Sequence, residues 1–296
     1  KYATFKIYDR KNSCNVETSC GPDSISNYFQ ANKLPWEVSP AFFRAEVLHR
    51  FKADPEKYTL EERSIACRNA WYLKSYDINE TGQVHVYIGD LARLPYEEQL
   101  YWQAFNEWPK GTISKRAFQT DIVGEWYLSY EPLLALKHKI SLMDKNPPIW
   151  WKPRGTVLSD AVQYPATDSI KEWGDEILAL DQYLVEGFLP KPLSEIAKYE
   201  GRTIEPKWGS LRILQEALIA KSATVDEAKM LVQPMQKLHT LRTEVRGHAS
   251  TEKKKKAILE ARTDHENLRA HFTNLVGQCE ASFNDILRIF DFKIDD

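Results

Sequence analysis

Arg242 and His248 bracket the segment Thr243-Glu244-Val245-Arg246-Gly247, close to the end of a helical pattern. A guanidinium binds phosphate oxygens and an imidazole moves protons near neutral pH, so this pair has the chemistry to act on an RNA phosphodiester. Leu231, Met235, Leu238, Leu241 and Val245 recur at the spacing of one apolar helical face. One turn on from Leu238, Arg242 falls inside that stripe, which predicts a largely buried guanidinium. Taking it out of water costs several kcal/mol unless a carboxylate, a carbonyl or a bound phosphate answers it. His248 follows Gly247, a residue type that ends helices, so its ring is expected at a mobile corner.

The arrangement resembles the Arg-(four to six residues)-His motif of HEPN domains, all-helical modules found in prokaryotic toxins and defence systems. The resemblance covers residues 190–290 at most. It implies a general base at His248, a phosphate clamp at Arg242, a homodimeric cleft and RNA cleavage without metal or other cofactor. Many catalytic members carry a polar amide directly after the arginine, whereas this chain has Thr243. That departure leaves an inactive scaffold version open. In that version Arg242 pairs with Glu244 or a neighbouring helix, and His248 caps a helix C-terminus. The same pattern recurs as Arg44 and His49. This second pair lies in an expected helix over Phe42–Phe51 and reads as surface residues beside an apolar face.

The charge distribution adds to the first pair. Net charge is −2, but residues 207–275 hold 13 Lys or Arg against 8 Asp or Glu, so a polyanion would meet the C-terminal half. Lys253, Lys254, Lys255 and Lys256 fall in the first turn of an expected final helix, where four cations oppose the helix dipole. With Arg246 they form a candidate nucleic-acid-binding set beside Arg242; a solvated helix face is the plainer reading of such a run.

Other chemistries lack their signatures. The chain has no phosphate-binding glycine loop, HExxH, GxSxG or dinucleotide fingerprint. Cys14, Cys20, Cys67 and Cys279 are scattered, without zinc spacing or a disulfide framework. His265 and His271 lack a ligand set, and no metal site is expected. No apolar run approaches the roughly 18–20 residues that span a bilayer, and no signal peptide opens the chain. A cytoplasmic protein without membrane contact is the expectation. Nine Trp, 14 Tyr and 12 Phe suit base stacking but more often serve packing.

The elements expected to position these residues divide the chain into an α+β domain over residues 1–125, a helix and Trp-containing connection over 126–166, and a helical bundle over 167–296. Lys1–Cys20 reads as a hairpin and Ser24–Ala31 as a short helix. Ser64–Tyr76 and Gln83–Leu91 flank Asn79-Glu80-Thr81-Gly82 and are expected to pair as antiparallel strands. Such a pairing could form a pocket from Arg68, Tyr72 and His85, although a solvated sheet face is the plainer outcome. Tyr96–Glu107 has helical spacing, as does the run through Leu133, Leu136, Ile140 and Met143 after Pro132. Trp150 and Trp151 predict an ordered connection or lid. Asp168 is expected to cap a helix carrying Trp173, Ile177, Leu180 and Leu184. Leu211, Leu214 and Leu218 mark the next helix; Pro234 should kink or split the one after. A single final helix from about Thr251 is expected to carry Leu268 through Phe290. The reading is therefore α+β, with a mixed sheet and helix domain followed by an all-α bundle. Its function is that of a bacterial defence or toxin-type protein engaging RNA or a partner, with metal-independent RNA cleavage, or alternatively a non-catalytic interaction or dimerisation module.

Overall fold

The computed structural model describes residues 1–61, 63–125, 130–246, 251–265 and 267–292. The chain forms two compact units, Lys1–Ser129 and Tyr130–Asp296, and the fold is α+β, with sheets in the first and a run of helices in the second.

The first unit is built on an antiparallel sheet. β1 (Thr4–Asp9) and β2 (Cys14–Ser19) form the expected hairpin, Thr4 opposite Ser19 and Asp9 opposite Cys14. Phe5 and Ile7 alternate inward, as a half-buried strand requires. β3 (Pro40–Phe43) lies at the centre, buried along its whole length. A 3-10 turn over Ala45–Leu48 and α1 (His49–Ala53) follow it, so the helix expected from Phe42 begins later. The neighbouring strands claim Phe42 and Phe43 as central β residues, overriding their helical spacing. Residues 24–31 likewise form no helix; Ser26 makes a parallel bridge with Trp36.

β4 (Tyr58–Leu60), β5 (Ser64–Cys67) and β6 (Trp71–Lys74) make a separate three-stranded sheet. β7 (Asp77–Ile78) and β8 (Val84–Tyr87) return to the main sheet, whose order is β2-β1-β3-β8-β7. This corrects the expected pairing of Ser64–Tyr76 with Gln83–Leu91. Asn69 takes φ +56° and folds β5 onto β6, and Ser75 at φ +60° ends that strand. The turn at Asn79–Gly82 does form, with Gly82 at φ +78°, but it joins only the two-residue β7 to β8. After α2 (Ile88–Leu91) and α3 (Tyr96–Gln103), β9 (Asn106–Glu107) pairs with β3. The helix expected over Tyr96–Glu107 therefore stops at Gln103. α4 (Lys115–Ala117) runs into a π-helical turn over Phe118–Val123.

The second unit has a single helical core. α5 (Pro132–Met143) and α6 (Gly155–Ala161) precede α7 (Ile170–Leu184). Trp150 and Trp151, between α5 and α6, are core residues rather than a lid: Trp150 stacks on Phe290 at 4.8 Å and Trp151 meets Phe283 at 5.4 Å. Gly187 is required there, since a Cβ would lie 2.4 Å from the Trp151 ring. Arg154, also buried, donates to the carbonyl oxygens of Gln182, Tyr183 and Glu186, capping the end of α7. At the other end Ser169, not Asp168, is the N-cap, accepting from the Glu172 N–H. Asp168 accepts instead from Leu268 N at 2.7 Å and pairs with Arg262.

α8 (Pro190–Tyr199) and α9 (Ser210–Ala220) lead into α10 (Val225–Arg246). Pro234 sits inside α10 without splitting it. Proline frees the carbonyl four residues back, that of Met230, and Met230 is exposed, so water can satisfy it. α7, α9 and α12 all pack on α10 and hold it together. The expected final helix is two, α11 (Thr251–Asp264) and α12 (Leu268–Ile289). Asn267 separates them, accepting from Ala270 N at 2.8 Å as the N-cap of α12. No helix among the described residues is long and apolar enough to cross a membrane.

Candidate functional site

The chemistry of the second unit gathers where α10 packs on α7. Leu238, Leu241 and Val245 face inward from α10, and Trp173, Ile177, Leu180 and Leu184 from α7. Asp181 lies one turn beyond Ile177, within the buried face of α7, and is fully buried. Burial pushes its carboxyl above the usual carboxylate range, against the pull of His239 and Arg242. Beneath it Cys279 of α12 is buried, and its thiol is pushed up to about 12 by desolvation and by Asp181.

Two α10 side chains answer Asp181 from the solvent side. His239 Nδ1 lies 3.0 Å from Oδ1 and 3.3 Å from Oδ2. Arg242 Nε lies 3.7 Å from Oδ2, and its outer nitrogen 4.0 Å from Glu186 Oε1. These Arg242 contacts are at ion-pair range, longer than hydrogen bonds. The expectation that Arg242 is largely buried is corrected: its side chain is 36% exposed. Leu238 and Leu241 take the centre of the stripe and leave Arg242 on its rim. The expected charge match is present, supplied by α7 rather than by Glu244. One turn on, Arg246 pairs with Asp175.

Thr243, in the position where the amide of the HEPN pattern would stand, donates its hydroxyl to the His239 carbonyl at 3.0 Å. Its side chain is thus bound to its own helix. His248 lies outside the described residues. Lys253, Lys254, Lys255 and Lys256 are exposed at the start of α11, Lys256 beside Glu260 at 3.7 Å.

Sequence spacing did not single out His239 or Asp181. Asp181 is four residues after Ile177, a polar residue in an apolar helical register, and that signal was available. His239 stands three residues before Arg242, on the same helical face. Their pairing joins residues 58 apart and could not be read from spacing.

The first unit holds a second polar cluster. Arg68, Tyr72 and His85 do not share a pocket: Arg68 and Tyr72 are exposed at the three-stranded sheet, whereas His85 is buried in β8. His85 Nε2 accepts from Ser114 N at 3.1 Å, while Nδ1 has no partner among the described residues. Desolvation holds this imidazole down to about 4. Asp77 accepts from the Ser114 hydroxyl at 2.7 Å and from Arg116 at 3.0 and 2.8 Å. Arg63 lies 3.6 Å from Asp77 and also pairs with Asp121, which accepts from the Tyr87 hydroxyl at 2.9 Å. Desolvation pushes the Asp77 carboxyl up, but Arg116 and Ser114 outweigh it and the net shift is downward. Arg44 and His49 are exposed, and Arg44 donates to the Ala104 carbonyl.

Compared with known protein families, curated proteins and solved structures, the chain matches none.

Proposed function

We propose that the helical unit engages RNA through its phosphodiester backbone and cleaves it without a metal, as an intracellular bacterial defence or toxin-type protein. Arg242 holds the phosphate and His248 acts as base, the roles implied by the resemblance of their spacing to the HEPN motif. One observation carries the reading. α10 presents His239, Arg242 and Arg246 along one face of its final turns, and the next helix opens with four exposed lysines after residues 247–250. Cations at consecutive helix ends suit a backbone that carries a phosphate at every step.

The ion pair of Arg246 with Asp175 and the approach of Glu186 to Arg242 favour a second reading, in which the row is an interhelical brace within an interaction or dimerisation module. Cleavage separates the two. An active protein cuts RNA in EDTA, spares the matching DNA and leaves a 2′,3′-cyclic phosphate, and His248→Ala abolishes cutting without unfolding the chain. Replacing Lys253–Lys256 by Gln should flatten the salt dependence of RNA binding by up to about four units of log–log slope, one for each phosphate no longer neutralised. If varied RNAs remain intact and binding is insensitive to salt, the module reading takes its place.

A further inference from the structure

Breaking an RNA phosphodiester at the 2′-hydroxyl takes two proton transfers, one from the attacking oxygen and one to the leaving oxygen. The Arg242 and His248 pair supplies a single proton carrier. We propose that His239 is the general acid and Asp181 its positioning residue; this rests on the RNA reading above.

The geometry assigns the two ring nitrogens different work. A carboxylate only accepts hydrogen bonds, so Nδ1, 3.0 Å from Asp181 Oδ1, carries the hydrogen of that contact. The contact fixes the tautomer and the ring plane and leaves Nε2 as the nitrogen that gains and loses a proton. The His239 side chain is 51% exposed and no partner among the described residues takes Nε2, while Asp181 is fully buried. A buried carboxylate orienting a half-exposed imidazole is the arrangement that proton transfer to a bound substrate requires. Arg242, three residues on, places a guanidinium beside the same carboxylate, so Asp181 gathers an anion-binding and a proton-carrying side chain on one face of α10. Among the described residues, Glu186 from the turn after α7 and Cys279 from α12 are the other ionisable groups that act on Asp181 and Arg242.

In the step itself, the 2′-hydroxyl gives its proton to the base and O2′ bonds to phosphorus. The bond from phosphorus to O5′ breaks, its electron pair passes to O5′, and O5′ takes the proton from Nε2 of the imidazolium. The products are a 2′,3′-cyclic phosphate and a 5′-hydroxyl, and both residues re-equilibrate their protons with water.

A general acid is dispensable when the leaving group is already stable. The test compares an RNA oligonucleotide with uridine 3′-(4-nitrophenyl phosphate), cleaved by the full chain and its variants. His239→Ala is expected to lose about 10²-fold or more on RNA while cutting the nitrophenyl substrate at close to the parent rate. Asp181→Asn should show the same selectivity with a smaller loss, and added imidazole should restore part of the RNA cleavage to His239→Ala. His248→Ala should lose both substrates, since each needs the 2′-oxygen deprotonated. If His239→Ala cuts RNA as well as the parent, or loses both substrates equally, the general-acid role is overturned and the RNA reading stands. If the parent chain cuts neither substrate, the RNA reading fails and takes the acid with it. Should His239→Ala or Asp181→Asn fail to fold, His239→Asn, which keeps a donor for Asp181 but has no proton to give, is the second variant, and the same losses and the same overturning results apply to it.

Discussion

Two buried carboxylates held by cations, Asp77 in the first unit and Asp181 in the second, are handled in opposite ways. Asp77 is saturated: Ser114, the fork of Arg116 and the backbone N–H of Ile78 all donate to it, and Arg63 links it to Asp121 and Tyr87. That network ties residues 112–123 to the edge of the sheet. Asp181 has its partners on one side only, and both reach into solvent. The chemistry of such a cluster thus depends less on which residues it contains than on whether their outer atoms remain available. The first network is closed and braces the fold. The second leaves the outer atoms of His239 and Arg242 open to solvent.

The contrast breaks most directly by deleting each carboxylate. Asp77→Ala should cost about 3–5 kcal/mol, because it strands guanidinium and hydroxyl groups that are largely buried. Hydrogen exchange should show residues 112–123 opening first. Asp181→Asn should cost about 1 kcal/mol or less in denaturant unfolding, because water reaches His239 and Arg242 and a desolvated charge has been removed. Equal losses would erase the distinction.

Acid sharpens it from another side. His85 in the first unit and His271 in the second are both buried and held down to about 4 by desolvation. His271 Nδ1 accepts from the Trp173 indole at 3.3 Å. Unfolded, each imidazole binds its proton near pH 6.5, so below that value the unfolded chain takes up more protons than the folded one. Stability present above pH 6.5 is therefore lost as pH falls towards 4, by about 3 kcal/mol for each histidine. Urea unfolding at pH 7 and pH 4.5 measures this, and His271→Gln should remove only the second unit's share.

A smaller effect is expected at Gly187, where an added methyl meets the Trp151 ring. Gly187→Ala should lower stability by about 1–3 kcal/mol through overpacking. Thermal melting checks this, and the first unit should keep its hydrogen-exchange protection.

Helices that keep to one apolar register were legible in the sequence: the run from Leu133 to Met143 and the run from Leu211 to Leu218 both form where the spacing places them. The hairpin at the start was legible too, because its turn and both strands are local. The pairing of β3 with β8 was not, since it joins residues more than 40 apart and the turn signal at Asn79–Gly82 served a shorter strand. The break before α12 was missed because the stripe assigned to one final helix begins only at Leu268, and the capping side chain of Asn267 just before it was not read as a helix start. In the candidate site the sequence pointed to Arg242, through an apolar register and a motif spacing. His239 and Asp181 gain their meaning only from the packing of α10 on α7.

The bond from Leu268 N to Asp168 spans 100 residues and fixes the start of α12 to the start of α7. α12 also packs on both α7 and α10. In the order of synthesis, Asp181, His239 and Arg242 all leave the ribosome before the helix that completes the core beneath them. The surface that aligns them exists only after residues 268–289 have emerged. Emergence of α12 thus acts as a timer: until then a nascent polypeptide carries Asp181, His239 and Arg242 without the helix that packs behind them.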